Sequence, residues 1–298
     1  MYRFTGSLII VFFPILQSLI IFIGWIFLQC IKIFGQGNNK APAKNEEKSI
    51  GELLDSLVVQ ERPIEVVVVD AKSSDATREI VKKYSEKHSF IHLYIKGGKI
   101  SESLNYGIEK AKGEAIAFIG ADDKADKEWI RNVRKALKEG NDIVIGRCIE
   151  AGETRFKLDR VKLYYKGFDI SVPGTNTTYR KEILKKLGGF DPRFVAAEDM
   201  DLNLRAIEAG YRLHYEKNAI VYRYARDNAI AFLKQAYRNG YGRKQLTLKH
   251  GKLWKQYSFK QMFSTHITFW GILRLSFGLL GYLVCKITGG GMKRRKAK

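Results

Sequence analysis

Cysteine, histidine and acidic side chains are scarce in this 298-residue sequence, and each shortage closes off a class of function. Three cysteines build no disulfide framework: Cys30 and Cys285 lie in apolar runs and Cys148 follows a predicted strand, so a reducing compartment is expected. Of the five histidines only His88 and His92 stand four apart. His92 opens the strand-like run IHLYI, so the two share no helix face and offer no histidine metal site. They read as surface or packing residues. Against 31 Asp and Glu stand 52 Lys and Arg, a formal net charge of +21. In a soluble protein that excess points to nucleic acid, but these cations are spread along the chain without a recognition module. An anionic lipid surface and phosphate-bearing ligands fit the charge better, and no nucleic acid partner is expected.

What the sequence does hold is two long apolar runs at its ends. Residues 7–34, SLIIVFFPILQSLIIFIGWIFLQCIKIF, exceed the roughly 20 residues a helix needs to cross the hydrocarbon core, which predicts a transmembrane helix. A cleaved signal peptide has a shorter apolar region and a small-residue cleavage site. Lys32 stands at the end of the run and Lys40, Lys44 and Lys48 follow it, while Arg3 precedes it, so the positive-inside rule places the next domain in the cytoplasm. The second run, residues 267–287, is interrupted by Arg274 and carries Gly271, Gly278 and Gly281. Crossing once would put Lys293, Arg294, Arg295, Lys296 and Lys298 on the wrong side, so a re-entrant or interfacial segment is expected over a span. The basic tail then rests on anionic lipid, or is a solvated run after Gly289, Gly290 and Gly291.

Between the ends, short β-branched runs alternate with helical-period segments, the pattern of an α/β domain with a largely parallel sheet. Predicted strands cover Glu65–Asp70, Ile91–Ile95, Ala115–Ile119 and residues 142–146, all apolar enough to be covered on both faces. Ile50, Leu53, Leu54, Leu57 and Val58 form one helix face, Ile80 with Tyr84 a second, and Leu104, Ile108 and Ala111 a third. Asp75 is placed to cap the helix that follows it. Ligands of open α/β sheets bind beyond the carboxyl ends of the strands. There EVVVVD ends in Asp70, and AIAFI leads through Gly120 into Asp122 and Asp123. A carboxylate at the first end suits a base or ribose, and a pair at the second suits a hard divalent cation on phosphate. Each Asp alone is as readily a turn former or cap.

Five blocks in order, PAKNEEKSIGELLDSL, VVVVDAKSSDATREIV, SLNYGIEKAKGEAIAFIGADD, LGGFDPRF and AEDMDLNLRAIEAGYRL, resemble the family-2 glycosyltransferases from Pro42 to about Gly242. The resemblance implies the GT-A nucleotide-sugar-binding fold, Rossmann-like α/β, with the domain at 36–225. An N-terminal transmembrane helix at 1–35 precedes it, a basic helical region at 226–262 follows, and a C-terminal membrane-associated segment and basic tail occupy 263–298. It further implies that Pro42, Ala43, Asn45, Glu46 and Asp70 line the nucleotide pocket, that Lys99 and Asn105 lie near the donor, and that Asp122, with Asp123 beside it, binds Mg²⁺ or Mn²⁺. Asp199, in the Glu198-Asp199 pair at a helix start, is implied as the catalytic base of an inverting transfer. Acids there also simply oppose the helix dipole. Thr175, Asn176 and Arg180, in GTNTTYRKEILKKLGGFD, are implied acceptor contacts.

Three features depart from the family pattern. GQGNNKA, before the first block, is poor strand sequence. Gly120 stands where the family has an earlier metal-site acid, and Arg223 stands where it often has a metal-binding histidine. An arginine there can meet diphosphate directly. The basic helix expected over 227–249, with Gln235, Arg238 and Arg243, lacks the QxxRW of processive synthases, so transfer of a single sugar is expected. The acceptor is expected to be a membrane-linked lipid or glycan, the donor UDP- or GDP-linked, and the site the cytoplasmic face of the cell membrane. The alternative is a catalytically inactive, glycosyltransferase-like membrane protein that binds nucleotide or partners.

Overall fold

A computed structural model describes residues 30–34, 40–43, 45–152, 156, 161–224, 228–251, 253 and 268–292. In chain order these form β1 (Cys30–Phe34), β2 (Lys40–Ala43), α1 (Ile50–Val58), β3 (Glu65–Asp70), α2 (Thr77–Lys87), β4 (Ile91–Ile95), α3 (Ile100–Lys110), β5 (Ala115–Ile119), β6 (Asp123–Ala125) and α4 (Trp129–Lys138). There follow β7 (Ile143–Ala151), β8 (Tyr164–Tyr165), β9 (Phe168–Asp169), β10 (Thr177–Arg180), α5 (Lys181–Lys186), α6 (Glu198–Glu208), β11 (Leu213–Tyr224), α7 (Ala229–His250) and α8 (Phe269–Thr288).

Among the described residues nine strands make one sheet in the order β2-β3-β1-β5-β10-β7-β11-β6, with β4 also on β3. β2, β3, β4, β5, β7 and β11 run one way, while β1, β6 and β10 run against them. The sheet is therefore mixed, and the reversal of β10 brings Thr177 beside Phe118, at the carboxyl end of β5. Strand alternation divides the core between the two faces. Ala115, Ala117 and Ile119 join Leu53, Leu54, Trp129 and Val133 on one side. Ile116 and Phe118 join Leu104, Ile108, Tyr179 and Leu202 on the other. This double cover is why AIAFI reads as a continuous apolar run.

Three predicted strands have the observed bounds, and the fourth extends to Ala151. The amino-terminal expectation changes at its edge. Residues 7–29 lie outside the described residues, but Cys30–Phe34, the end of the expected transmembrane helix, is the strand β1 between β3 and β5. A second strand, Lys40–Ala43, pairs with β3 despite the poor strand propensity of the sequence around it.

α7 and α8 lie side by side and run parallel, since Phe232 meets Trp270, Gly240 meets Gly278 and Gln245 meets Gly290. Their backbones touch through glycine: a Cβ on Gly240 would lie 1.8 Å from the Gly278 carbonyl oxygen, and one on Gly281 2.0 Å from that of Tyr237. Asn228 caps α7 by accepting from Ala231 N–H, and Thr268 caps α8 by accepting from Gly271 N–H. Gly240→Val is expected to lower stability by about 1–3 kcal/mol, as overpacking does. The check is a lower urea midpoint at unchanged slope; an unchanged midpoint contradicts this packing.

Candidate functional site

The carboxyl ends of β3 and β5, the start of β10 and the amino end of α6 converge on one edge of the sheet. At the β3 end Asp70 is fully buried, and both its oxygens accept the Ser73 N–H, at 3.2 and 3.0 Å. Its carboxylate thus closes its own loop, with Arg78 Nε 3.7 Å away, and is not open to a ligand as expected. The loop is cross-tied to the Asn45 segment. Asn45 N–H donates to Ser73 Oγ at 2.9 Å, Asn45 Oδ1 accepts from Ser74 N–H at 2.9 Å, and Glu46 N–H donates to Thr77 Oγ1 at 2.8 Å. Asn45 holds a positive φ of 57°, a conformation Asn tolerates through local hydrogen bonding. Pro42 and Ala43 lie in register with Val69 and Asp70, so the expected nucleotide-side residues do come together.

At the β5 end the two aspartates have different roles. Asp123, 2% exposed, accepts from Gly120 N–H at 2.9 Å and from Thr175 Oγ at 2.5 Å through Oδ2, and from Arg223 Nε at 3.3 Å through Oδ1. Its carboxylate is committed to protein partners, which removes it as the expected metal ligand. Burial opposes the charge of Arg223, but Asp123, Cys148 and Asp122 outweigh burial and hold the guanidinium pKa above its usual value. Asp122 is half-buried and retains surface. Gly120 is required here, because a Cβ would lie 2.5 Å from Asp123 Oδ2 and 2.9 Å from Asp122 Oδ1. Among the described residues no group of three His, Cys, Asp or Glu side chains forms a metal cage. One carboxylate, Asp122, is enough for a hard cation that takes its remaining oxygens from a diphosphate, so Mg²⁺ or Mn²⁺ fits as a shared rather than a caged ion.

The turn at 173–176 joins this end to the acids of α6. Gly174 N–H donates to Asp199 Oδ2 at 2.8 Å, and the next residue, Thr175, holds Asp123. Asp199 Oδ1 accepts from Met200 N–H at 2.8 Å, leaving further lone pairs on a half-buried carboxylate. Burial raises the Asp199 pKa, while the Met200 and Gly174 N–H groups and the Arg243 charge offset part of the rise. Glu198 lies deeper. Burial first, then the Asp199 charge, push it up to about 7, with Arg238 partly opposing. Arg238 donates to the Val195 carbonyl at 2.9 Å and Arg243 to that of Val161 at 3.1 Å, so α7 closes the back of the acid pair.

Several expected contacts have other roles. Asn176, 1% exposed, accepts from Trp129 Nε1 at 2.7 Å and donates to the Arg147 and Ala219 carbonyls at 3.0 and 2.9 Å, which makes it a scaffold tie and not an acceptor contact. Arg180 pairs in register with Ala115, at the amino end of β5, and donates to Leu137 O at 2.7 Å. It therefore stands at the opposite end of the sheet from the acids. Asn105 spends its amide on the Phe190 backbone, at 2.7 and 2.8 Å, and Lys99 Nζ donates to Pro192 O at 3.1 Å. Both pin the 188–192 loop; Lys99 is exposed and keeps further N–H groups beyond that bond. Gly174 was not singled out from the sequence, because a backbone N–H leaves no mark in residue type.

Residues 41–197 match the Glycosyl transferase family 2 domain, and residues 152–288 the Glycosyl transferase family group 2 domain. The Probable glycosyltransferase YdaM of Bacillus subtilis is 31% identical over 232 residues, 70% of this chain. The chain spans only 55% of the length of that relative. A Methanococcus voltae protein, Dolichyl N-acetyl-alpha-D-glucosaminyl phosphate 3-beta-D-2,3-diacetamido-2,3-dideoxy-beta-D-glucuronosyltransferase, is 25% identical over 65% of this chain and 68% of its own. Among solved structures, S. aureus TarS 1-349 in complex with UDP superposes with a TM-score of 0.53 at 22% identity, covering 80% of this chain and 79% of that one. The mannosyltransferase PcManGT of Pyrobaculum calidifontis, in complex with GDP-Man and Mn²⁺, gives 0.56 at 19%, covering 83% and 74%. The fold is thus the GT-A type expected from the motif order.

Two outcomes check this geometry. Thr175→Val, close to isosteric, takes one donor from the buried Asp123 and is expected to cost about 1–3 kcal/mol in denaturant unfolding. Because burial raises the Glu198 pKa from 4.5 to about 7, the stability it contributes is full below about pH 4.5 and is lost as pH rises through about 7. Unfolding midpoints at pH 5 and pH 8 should therefore draw closer in Glu198→Gln than in the parent.

Proposed function

The chain belongs to glycosyl transferase family 2, and from that premise we propose that it is an inverting transferase. It moves a single sugar from a nucleotide diphosphate donor to a membrane-linked lipid or glycan acceptor at the cytoplasmic face. The observation that carries the reading is the 173–176 turn, which fixes the half-buried Asp199 and the Asp122-Asp123 end at adjacent residues. One carboxylate is thereby set to remove a proton, at a fixed place relative to the charge that meets a diphosphate.

The nucleotide is held along the cross-tied Asn45 and Ser73 loops, beside Pro42, Ala43 and Glu46, with its diphosphate toward Asp122 and Arg223. Asp122 would hold a divalent cation, which would neutralise charge on the leaving group. Asp199 accepts the proton of the acceptor hydroxyl as that oxygen bonds to the anomeric carbon. The bond from that carbon to the phosphate oxygen breaks on the opposite face, and the nucleotide diphosphate departs with the electron pair. Arg223, kept charged by Asp123, stands on the leaving-group side. Glu198, with its pKa raised to about 7, is held back from full ionisation near neutrality, which eases the repulsion between the two neighbouring carboxylates. The membrane-linked acceptor draws support from the M. voltae relative, whose name places a sugar on a dolichyl phosphate-linked residue.

The test is turnover of a panel of UDP- and GDP-sugars by the lipid-reconstituted protein, with and without Mn²⁺, beside Asp199→Asn. Release of nucleotide diphosphate should fall by about 10²–10⁴ in Asp199→Asn while nucleotide binding persists. Nucleotide binding without turnover of any donor, even with membrane extract as acceptor, supports the inactive relative instead.

A further inference from the structure

α8 is 20 residues long, about 30 Å at 1.5 Å per residue, which matches the thickness of a bilayer core. Its surroundings exclude a crossing. Phe269, Ile272, Leu279, Leu280, Leu283 and Ile287 are exposed, at 48–83%. At 100° per residue they share one arc of about 100° that runs the whole length of the helix. Gly271, Gly281 and Cys285 are buried on the other side, and Arg274 falls on that side by helical period. The buried face lies on α7, which runs parallel to α8 from Phe232 to Gln245 and is itself tied to the catalytic domain. Gln245 donates to the Arg193 and accepts from the Val195 backbone, Arg238 donates to Val195 O, and a Cβ on Gly242 would meet the Ala196 carbonyl oxygen at 2.3 Å. Taking α8 through hydrocarbon would carry Arg238, Arg243, Gln245 and the 193–196 backbone into lipid with it.

We infer that α8 is an in-plane docking helix, whose Phe269 to Ile287 stripe lies flat in the interface of an anionic bilayer. An apolar stripe alone does not name its occupant; charge does. The chain carries a net charge of +21, Lys286 is exposed at the border of the stripe, and KRRKAK follows in sequence after Gly289, Gly290, Gly291 and Met292. Lys244 lies 5.0 Å from the Tyr282 ring centroid, an amphipathic pair at the flank of the helix. Trp270, at the amino end, packs against Phe156 and Phe232, so the Phe156 side chain is held at the same surface. The face that meets lipid is thereby fixed to α7, which closes the back of the Glu198-Asp199 pair. The inference does not depend on the transfer reaction, and its failure would leave the proposed catalysis standing.

A depth scan tests it. A fluorescent side chain is introduced biosynthetically at Ile272, Ser276, Leu279, Leu283 or Ile287, one at a time, in the full chain. Quenching is then read with lipids brominated at defined depths, in vesicles with and without phosphatidylglycerol. All five positions are expected at one shallow depth, about 5–10 Å into the acyl boundary, with weaker quenching in vesicles of phosphatidylcholine alone. A maximum of depth at Ser276 and Leu279 with shallow ends is a span and overturns the inference. Absence of quenching with a doubled mass in solution assigns the face to a second copy, and overturns it equally. Equal quenching in both vesicle types removes the anionic part.

Discussion

The acid end of the site depends on one turn, residues 173–176, each of whose four residues bonds to another element. Thr177 donates from Oγ to Pro173 O at 3.0 Å, Gly174 reaches Asp199 on α6, Thr175 reaches Asp123 after β5, and Asn176 joins β7, β11 and α4. Asp199 and Asp123 come from segments more than seventy residues apart, and backbone rigidity between two neighbours sets their spacing. Gly146 adds to the same constraint, since a Cβ there would meet Asn176 and Ala219 at under 2.5 Å. Buried polar networks of this kind are stable only when every member is satisfied, which is why single changes here are felt at both ends.

A second tie holds α6 from behind. Asp201, fully buried, meets Arg205 Nε at 2.8 Å, Lys249 Nζ at 2.6 Å and His250 Nε2 at 2.7 Å. Burial raises the Asp201 pKa, but these partners outweigh it and the carboxylate stays below the usual range. Lys249 also meets Asp191 at 2.7 Å, so the end of α7 bonds at once to α6 and to the loop before it. With Leu246, Leu253, Met200 and Leu204 in one apolar cluster, α7 is a structural part of the site and not an appended basic helix. The surface on the far side of α8 is thus rigidly related to the acids.

The sequence carried the strands and helices well, because AIAFI and EVVVVD are apolar for a single reason, cover on both faces. It also carried the amino start of α6, where two acids stand at the helix entrance. It failed where direction and partner matter. TTYR does not state that its strand runs antiparallel, so Arg180 was expected at the acids and lies at the opposite end of β5. Asp123 and Asn105 have the right residue types beside the site, but their oxygens are spent on Thr175, Arg223 and Phe190, which only the folded chain reveals. Cys30–Phe34 is as apolar as the run before it, and hydropathy alone does not separate a core strand from the end of a membrane helix.

In the proposed reaction Asp199 acts once, as a base, so that the new bond forms on the face opposite the leaving diphosphate. The anomeric configuration of the first product, read by proton NMR before any mutarotation, measures this directly. The configuration opposite to that of the donor sugar is the expected result of single displacement. Retention would mean that the acceptor oxygen does not attack from the face opposite the leaving diphosphate, and would contradict it.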